Sequence, residues 1–341
     1  MRGSTPKRNA RPRRRADASR RRWIACSRLA VAVAVFAATV GTGGAFSAAH
    51  AGAPGTRRSR DPLARVAVAA RTVPAVLPAV NNSGLLSFAP VVKLGSSTAV
   101  WLARVGASGI AGSSVTLLRF DQRVVRLQLH AGSLDPGGTW TYGPQVGVPE
   151  IHSLIAGFNG GFKLSYGAGG YEQEGKLVRP LLQGYGSIVT YSDGTTNIGS
   201  WSGEVPARGK TVVDVRQNLQ LLIDGGRVAS NVDSCVIDCW GATIGGRLVV
   251  ARSGLGITAA GDLVWAGGEN LSVRALADAL LGAGVVRAVE LDINPDWVAG
   301  YIFQHASGTV AAIPMATGQL GINGQLIHGA DTRDYFTVLA R

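Results

Sequence analysis

Most of the chain beyond residue 90 consists of short apolar runs separated by glycine-rich turns. The dipeptides at 193–194, 224–225 and 261–262 are turn signals of the hairpin type, and the 47 glycines of the sequence imply many further turns. Strands are predicted at residues 99–105, 115–120, 124–129, 154–158, 187–191, 219–223 and 248–250. No internal repeat of 20–50 residues is present. The pattern predicts an α+β fold, with a strand-rich mixed sheet and few helices.

One helix is predicted with clear start and stop signals. Its apolar positions recur with helical spacing over residues 273–281, and Ser272 is placed to cap the first turn. Gly282 and Gly284 follow the last apolar residues and should end the helix.

The strand expected after this helix carries two carboxylates. Side chains alternate between faces along a strand, so Val289, Leu291 and Ile293 should point one way and Glu290 and Asp292 the other. Two residues span roughly 6.6 Å along a strand, which brings both acids within reach of one small ligand. Two like charges inside a strand need compensation, and a functional site is therefore expected there.

Two interpretations of this carboxylate pair are open. A pair of carboxyl groups can cleave a glycosidic bond, with one group protonating or stabilising and the other activating water or attacking the anomeric carbon. Alternatively, Glu290 and Asp292 form structural ion pairs with Arg252 or Arg274. The spacing alone does not choose between them.

Three motifs in a fixed order surround this strand. Phe-Asn-Gly-Gly-Phe at 158–162 follows an apolar strand, Arg252 opens a short glycine-containing strand, and a leucine-rich helix leads through glycine into Leu291-Asp292. Over residues 115–300 this order resembles the phosphodiester glycosidase family, which includes bacterial exopolysaccharide-associated proteins.

The resemblance implies a function and a set of site residues. It implies an exported hydrolase that cleaves a sugar-1-phosphodiester in a cell-envelope or extracellular glycan, with Asp292 as a catalytic residue assisted by Glu290. Arg252 would bind the phosphate, because a planar guanidinium matches phosphate oxygens. Asn159, Gly160 and Gly161 would let the sugar or phosphate approach the main chain. The implied partner is therefore a carbohydrate or sugar-phosphate substrate.

The chain departs from the family pattern at two places. The family usually has Asn where Glu290 stands, and Gly-Gly-Gly-Ser where this chain has Ile-Asn-Pro-Asp-Trp at 293–297. Pro295 also removes a backbone donor from that loop. These departures support an alternative, a non-catalytic glycan- or cell-wall-binding protein on the same scaffold. A tethered structural protein is a third possibility, and it predicts that both carboxylates are fully ion-paired.

The same loop has part of the pattern of a calcium site. Asp292, Asn294 and Asp296 have the spacing of an EF-hand loop, but Trp297 and Phe303 stand where that loop needs glycine and glutamate. We therefore predict no metal, assign Asp296 to substrate binding, and expect Trp297 either to stack on a sugar or to lie in the core. No cofactor is expected, and no metal-ligand spacing links histidines 130, 152, 305 and 328.

A charged cluster and a cysteine pair complete the candidates. Asp331, Arg333 and Asp334 are expected to form local ion pairs, with a supporting role open. Cys235 and Cys239 are expected to form a small-loop disulfide if the protein is exported, and a metal or redox site is the competing interpretation.

The charge of the chain is concentrated at its start. Residues 1–28 hold eleven of the 34 basic residues and one of the 21 acidic residues, so the remainder is nearly balanced at 23 and 20. The alkaline composition therefore gives no reason to expect nucleic-acid binding.

The same region has the pattern of an export signal. An uncharged run at 29–49 follows the basic stretch and ends in Ala-His-Ala, so residues 1–51 are predicted as a signal peptide or signal anchor. A Sec signal and a twin-arginine signal both fit, and the apolar run is long enough to anchor the protein in a membrane if it is not cleaved. Residues 52–90 are predicted as a flexible spacer, and residues 91–341 as the phosphodiester-glycosidase-like domain.

Overall fold

The computed structural model describes residues 79–80, 86–306, 308–316 and 325–341. The predicted leader and most of the predicted spacer lie outside these residues, and the first strand begins at Ala89, at the spacer's end. No helix within the described ranges is long and apolar enough to cross a membrane.

Strands dominate the described part of the chain. They are β1 (Ala89–Leu94), β2 (Ser97–Gly106), β3 (Ser114–Phe120), β4 (Val125–His130), β5 (Leu154–Asn159), β6 (Tyr171–Gln173), β7 (Lys176–Arg179), β8 (Gly186–Tyr191), β9 (Thr196–Ser200), β10 (Val212–Gln217), β11 (Ile223–Asp224), β12 (Arg227–Val228), β13 (Val250–Thr258), β14 (Leu263–Leu271), β15 (Val285–Glu290), β16 (Gly300–Ala306), β17 (Thr309–Pro314) and β18 (Tyr335–Ala340).

The helices are few and mostly short. They are α1 (Val148–Ile151), α2 (Val236–Trp240), α3 (Val273–Gly282) and α4 (Gln325–His328), with 3-10 turns at Leu164–Tyr166 and Ile244–Gly246. Helix α3 is the predicted one, and its cap is as expected, since the Ser272 hydroxyl accepts the Ala275 amide at 3.0 Å. The predicted strand-rich fold with few helices is confirmed.

The strands form three sheets with antiparallel pairings. Sheet A has the order β1-β2-β3-β14-β13-β15-β11-β12, sheet B the order β17-β16-β5-β18-β4, and sheet C the order β7-β6-β10-β8-β9. Strands β1 and β2, β13 and β14, and β16 and β17 are neighbours in both sequence and space.

The main core lies where the three sheets meet. Sheet A contributes Leu118, Phe120, Leu255, Trp265 and Val289, sheet B contributes Ile155, Phe158, Ile302 and Phe336, and sheet C contributes Tyr171, Ile188 and Ile198. A second core forms on the opposite face of sheet A, where Leu276 and Leu280 of α3 pack against Leu117, Val264 and Ala266. Sheet A is therefore buried on both faces, which its alternating side chains make possible.

Two of the predicted strands are placed differently in the structure. Residues 219–223 leave sheet C after Gln217 and reach sheet A only at Ile223, with Leu219 in the left-handed region at φ 55°. The apolar side chains of Leu221 and Leu222 are buried along this crossing, which explains the misleading pattern. Leu248 and Val249 are exposed, and the predicted strand at 248–250 starts only at Val250.

The pairing of β5 with β18 positions the site. Antiparallel pairing sets Asn159, the last residue of β5, opposite Tyr335, the first residue of β18. The loop that leaves β5 therefore lies beside the segment 331–334 that enters β18.

Candidate functional site

Three chain segments enclose a small cleft. They are the loop after β5, the segment after β15 and the segment before β18, and the lining residues are Asn159, Gly160, Gly161, Asp292, Trp297, Asp331, Arg333 and Asp334. The cleft is narrow, and the free space inside it measures about 10 Å³. This is room for about one water molecule, so a larger ligand would have to lie at the mouth of the cleft.

Arg333 spans the cleft. Its Nη2 donates to Asp292 Oδ2 at 2.6 Å and to the Gly161 carbonyl at 2.6 Å. The guanidinium carbon lies 4.9 Å from the centre of the half-buried Trp297 ring. Its side-chain hydrogen bonds in the described part of the chain all run through Nη2, so Nε and Nη1 remain as donors for a ligand.

Asp292 is fully hydrogen-bonded within the protein. Its Oδ1 accepts the backbone amides of Ile293 and Asn294, both at 2.8 Å, while Oδ2 pairs with Arg333. Burial raises the pKa of Asp292, and Arg333 together with the two amides opposes that rise. The carboxylate is thus held in one orientation at the cleft.

Asp334 joins the cleft to sheet C. Arg216 of β10 is buried, and its Nε lies 2.7 Å from Asp334 Oδ2 while its Nη2 lies 3.2 Å from Oδ1. The same aspartate accepts the Gly161 amide at 3.3 Å through Oδ2, and its carbonyl accepts the Gly160 amide at 3.0 Å. This two-point ion pair fixes the loop after β5.

The two glycines of that loop are required by close packing. A side chain at Gly160 would overlap Asp334, and a Cβ at Gly161 would lie 2.6 Å from Asn218 Oδ1. Asn218 in turn accepts the Phe162 amide and donates to the Glu290 and Leu291 carbonyls. The Gly-Gly pair therefore serves packing against the protein as well as access to the main chain.

Asn159 lines the cleft, but its amide group bonds within the protein. Its Nδ2 donates to the Gly160 carbonyl at 2.9 Å and to Ser253 Oγ at 3.0 Å, and its Oδ1 accepts the Ala299 amide at 3.2 Å. Asn159 thus ties sheet B to β13 and to the chain segment after the cleft. The predicted residues Asn159, Gly160, Gly161 and Asp292 are brought together here.

Asp331 is the carboxyl of the cleft with a free oxygen. Its Oδ1 accepts the Arg333 amide at 3.1 Å, whereas its Oδ2 is buried and has no hydrogen-bond partner among the described residues. Burial raises the pKa of Asp331, against the opposing effect of the Arg333 and Thr332 amides.

Arg252 and Glu290 lie away from the cleft. Arg252 Nη1 is 2.7 Å from Glu290 Oε1, both side chains are fully buried, and Arg252 also donates to the carbonyls of Leu271, Trp240 and Leu248. Burial raises the pKa of Glu290 to about 7, although Arg252 lowers it. The structure thus places Arg252, predicted to bind phosphate, and Glu290, predicted to assist catalysis, outside the cleft lining. Glu290 points to the α3 side of sheet A, where an ion pair compensates its charge.

Asp296 and Arg274 also lie elsewhere. Asp296, predicted to bind substrate, is exposed and is not among the residues that line the cleft, and its amide donates to Asn294 Oδ1 at 2.9 Å. Arg274 pairs on the surface with Asp233 at 2.6 Å. No group of three or more histidine, cysteine or acidic side chains in the described ranges is arranged to hold a metal ion.

The predicted disulfide between Cys235 and Cys239 is present. The loop that it closes contains the first residues of α2. Trp240, the last residue of α2, accepts a hydrogen bond from Arg252 through its backbone carbonyl. The disulfide is therefore linked to the buried ion pair and not to the cleft.

The sequence assigned no ligand contact to Arg333 or Asp331, which were expected to form local ion pairs. The signal that could have found them is the density of charge in Asp-Thr-Arg-Asp at 331–334, directly before an apolar strand. Arg216 and Asn218 gave no comparable signal, because each acts on a residue more than 50 positions away.

Comparisons with known proteins give structural similarity at low sequence identity. No family model matches the sequence, and no curated protein matches it. The catalytic domain of zebrafish N-acetylglucosamine-1-phosphodiester alpha-N-acetylglucosaminidase is similar with a TM-score of 0.44 and 16% identity, over 75% of this chain and 82% of that one. A hypothetical protein from Synechocystis is similar with a TM-score of 0.44 and 13% identity, over 75% of this chain and 68% of that one.

Proposed function

We propose that the protein is an exported hydrolase that cleaves the glycosidic bond of a sugar-1-phosphodiester in a cell-envelope or extracellular glycan. The observation that carries this proposal is the meeting of Arg333 with Asp292 and Asp331 in one cleft beside the Asn159–Gly161 loop. A phosphodiester-linked sugar presents an anion next to an anomeric carbon. An arginine of this kind can bind the phosphate anion, and the carboxyl groups beside it can act at the anomeric carbon.

Arg333 takes the role of phosphate ligand in this proposal. Its Nε and Nη1 lie on different edges of the guanidinium, and each can donate a hydrogen bond to a phosphate oxygen while Nη2 stays bonded to Asp292 and Gly161. The Trp297 ring contacts the guanidinium group of Arg333 and attracts its positive charge. The phosphate would thus be held beside the carboxylate of Asp292.

Asp292 provides the negative charge that the reaction needs. Cleavage of a glycosidic bond passes through a transition state with positive charge at the sugar ring, and a fixed carboxylate stabilises that charge. The departing phosphomonoester is a weak base, with a second pKa of about 6, so its departure requires little help from an acid. In this proposal the phosphate and the anomeric carbon bind at the mouth of the cleft, and the rest of the glycan stays outside.

We propose that the protein acts in the cell envelope or outside the cell, on a carbohydrate partner. A disulfide between Cys235 and Cys239 is typical of an oxidising compartment, which supports export. The partner is a carbohydrate or sugar phosphate, the chemistry demands no cofactor, and contact with a membrane would involve only an uncleaved leader.

The test is hydrolysis by the full-length protein of alkyl and aryl phosphodiesters of alpha-N-acetylglucosamine-1-phosphate and of other sugar-1-phosphates. We expect the wild type to release the free sugar, and Asp292→Asn to be slower by about 100-fold or more. Asp233→Asn is the control, because Asp233 is an exposed carboxylate that pairs with Arg274. A wild type that is inert on all these diesters yet binds cell-wall polysaccharide would instead be the non-catalytic glycan-binding protein.

A further inference from the structure

The three carboxyl groups of the cleft differ in what remains free for chemistry. Both oxygens of Asp292 are occupied by two amides and a guanidinium, and both oxygens of Asp334 are bonded to Arg216. Asp331 alone of the three has an oxygen, Oδ2, without a partner in the described part of the chain. A proton can therefore be taken up at Asp331 without breaking an existing bond.

The position of Asp331 is fixed by its backbone. Its amide donates to the Pro144 carbonyl at 2.7 Å, and its own carbonyl accepts the Ser133 amide at 2.9 Å. The neighbouring Leu134 and Asp135 amides both donate to the Thr332 carbonyl. Asp331 is thus held in the cleft lining by a well-bonded turn, and only 2% of the residue is exposed.

A buried carboxyl oxygen without a partner is costly unless a ligand supplies one. Leaving a buried acceptor unsatisfied destabilises the folded state, and more so when the group is charged, so such atoms in folded proteins usually have a reason. A water molecule or a sugar hydroxyl in the cleft would donate the missing hydrogen bond. The charged groups that share the cleft with Asp331 are Arg333, Asp292 and Asp334.

We propose that Asp331 is the general base of the hydrolysis, which rests on the function proposed above. Asp331 Oδ2 accepts a proton from the water molecule whose oxygen forms the new bond to the anomeric carbon. The bond from that carbon to the phosphate oxygen breaks, and its electron pair leaves with the phosphomonoester bound to Arg333. Asp331 then returns the proton to solvent. Asp292 holds Arg333 in place and stabilises the ring charge.

The surroundings of Asp331 suit this role. A base is most effective when its pKa approaches the working pH, and burial moves the pKa of Asp331 in that direction. Direct attack by water inverts the configuration at the anomeric carbon, so an alpha-linked diester should first give the beta anomer.

The experiment compares wild type, Asp331→Asn, Asp331→Ala and the exposed control Asp233→Asn on a sugar-1-phosphodiester that the wild type hydrolyses. Asp331→Asn keeps an oxygen for the Arg333 amide, and thermal unfolding checks that both Asp331 variants are folded. We expect kcat of both to fall by about 10²–10⁴-fold with KM nearly unchanged. Wild-type activity should fall at low pH as Asp331 becomes protonated, and this fall should be absent from both Asp331 variants. Added formate should partly restore the activity of Asp331→Ala, because it can replace the missing carboxylate.

The outcomes separate the two proposals. A wild type that is inert on every sugar-1-phosphodiester overturns the proposed function and the role of Asp331 with it. An active wild type whose Asp331→Asn variant keeps kcat within about threefold overturns the general base alone. Retention of configuration, followed by NMR, would also overturn it, because a covalent intermediate would then replace direct attack by water.

Discussion

Arg333 Nη2 lies 2.6 Å from Asp292 Oδ2, and this ion pair links the segment that enters β18 to the segment that leaves β15. The same nitrogen bonds the Gly161 carbonyl, so one guanidinium group joins all three segments of the cleft. The geometry depends on a planar group that can form both bonds through one nitrogen and keep donors on its other two nitrogens.

We therefore expect Arg333→Lys to weaken phosphodiester binding. A lysine ammonium carries its three donors on one nitrogen, so holding Asp292 and Gly161 would leave a single donor for phosphate, and the guanidinium contact with the Trp297 ring would be lost. The KM for a sugar-1-phosphodiester should rise by about tenfold or more. Arg123→Lys is the control, because Arg123 is 85% exposed. Equal KM values for the two variants would contradict the assigned role of Arg333.

The loop after β5 should not tolerate a side chain at its first glycine. A Cβ at Gly160 would overlap the Asp334 carboxyl group, which is held by Arg216, so Gly160→Ala should lower the free energy of unfolding by about 1–3 kcal/mol. Gly282→Ala is the matched control, since open space surrounds Gly282 at the end of α3 and alanine favours a helix. Urea unfolding of both variants tests this. Equal stabilities would mean that the loop adapts and that its packing does not define the cleft.

Local sequence signals predicted the elements that depend on nearby residues. Ser272 caps α3 three residues before the amide it accepts, and β5 is an apolar run with a turn sequence behind it. The loop at 159–161 and Asp292 were also placed at the candidate site by motif order. The cap and the strand need no knowledge of distant parts of the chain, whereas the motif order extends over residues 115–300.

The remaining site residues depend on contacts that the sequence does not display. Alternation along β15 puts Glu290 on one face of sheet A, but it does not say that α3 covers this face. Asp292 lies two residues beyond the end of β15. The turn that follows the strand places this side chain at the cleft and not beside Glu290. Its partner Arg333 is 41 positions away and was expected to pair locally. Which arginine meets which carboxylate is decided by the packing of three sheets.

The buried pair of Arg252 and Glu290 should behave as a unit in stability. Arg252→Met leaves the Glu290 carboxyl buried without its cation, and this should cost about 3–5 kcal/mol. In the double variant Arg252→Met/Glu290→Gln no charge remains, so we expect it to recover part of that loss. A double-mutant cycle in urea measures the coupling. Additive losses would show that the two side chains contribute independently.

The disulfide should contribute modestly to stability, because it closes a short loop. For the five residues from Cys235 to Cys239, the loop-entropy estimate gives roughly 2 kcal/mol. Cys235→Ser/Cys239→Ser should lose about that much free energy of unfolding and remain folded. Alkylation of the denatured, unreduced wild type is the chemical control: one reactive thiol, that of Cys26, agrees with the disulfide, whereas three would contradict it.

Protonation of Glu290 should make stability depend on pH in a definite direction. Burial raises its pKa from 4.5 to about 7 in the folded protein, so the folded state binds this proton more tightly than the unfolded chain does. The resulting stabilisation is fully present below pH 4.5 and is lost as the pH rises through about 7, with a total of at most roughly 3 kcal/mol. The glutamine side chain of Glu290→Gln cannot lose a proton, so the free energy of unfolding of this variant should lack this pH-dependent contribution.

The measurement is the difference in unfolding free energy between wild type and Glu290→Gln, obtained from urea titrations between about pH 4 and pH 8. Because burial also raises the pKa of Asp292 and Asp331, the wild type alone would mix several groups. Both aspartates are present in both proteins, so their contributions largely cancel in the difference. The wild type should lose its advantage as the pH rises. A difference that is constant, or that grows with pH, would mean that Arg252 keeps Glu290 ionised throughout and that burial does not dominate this pair.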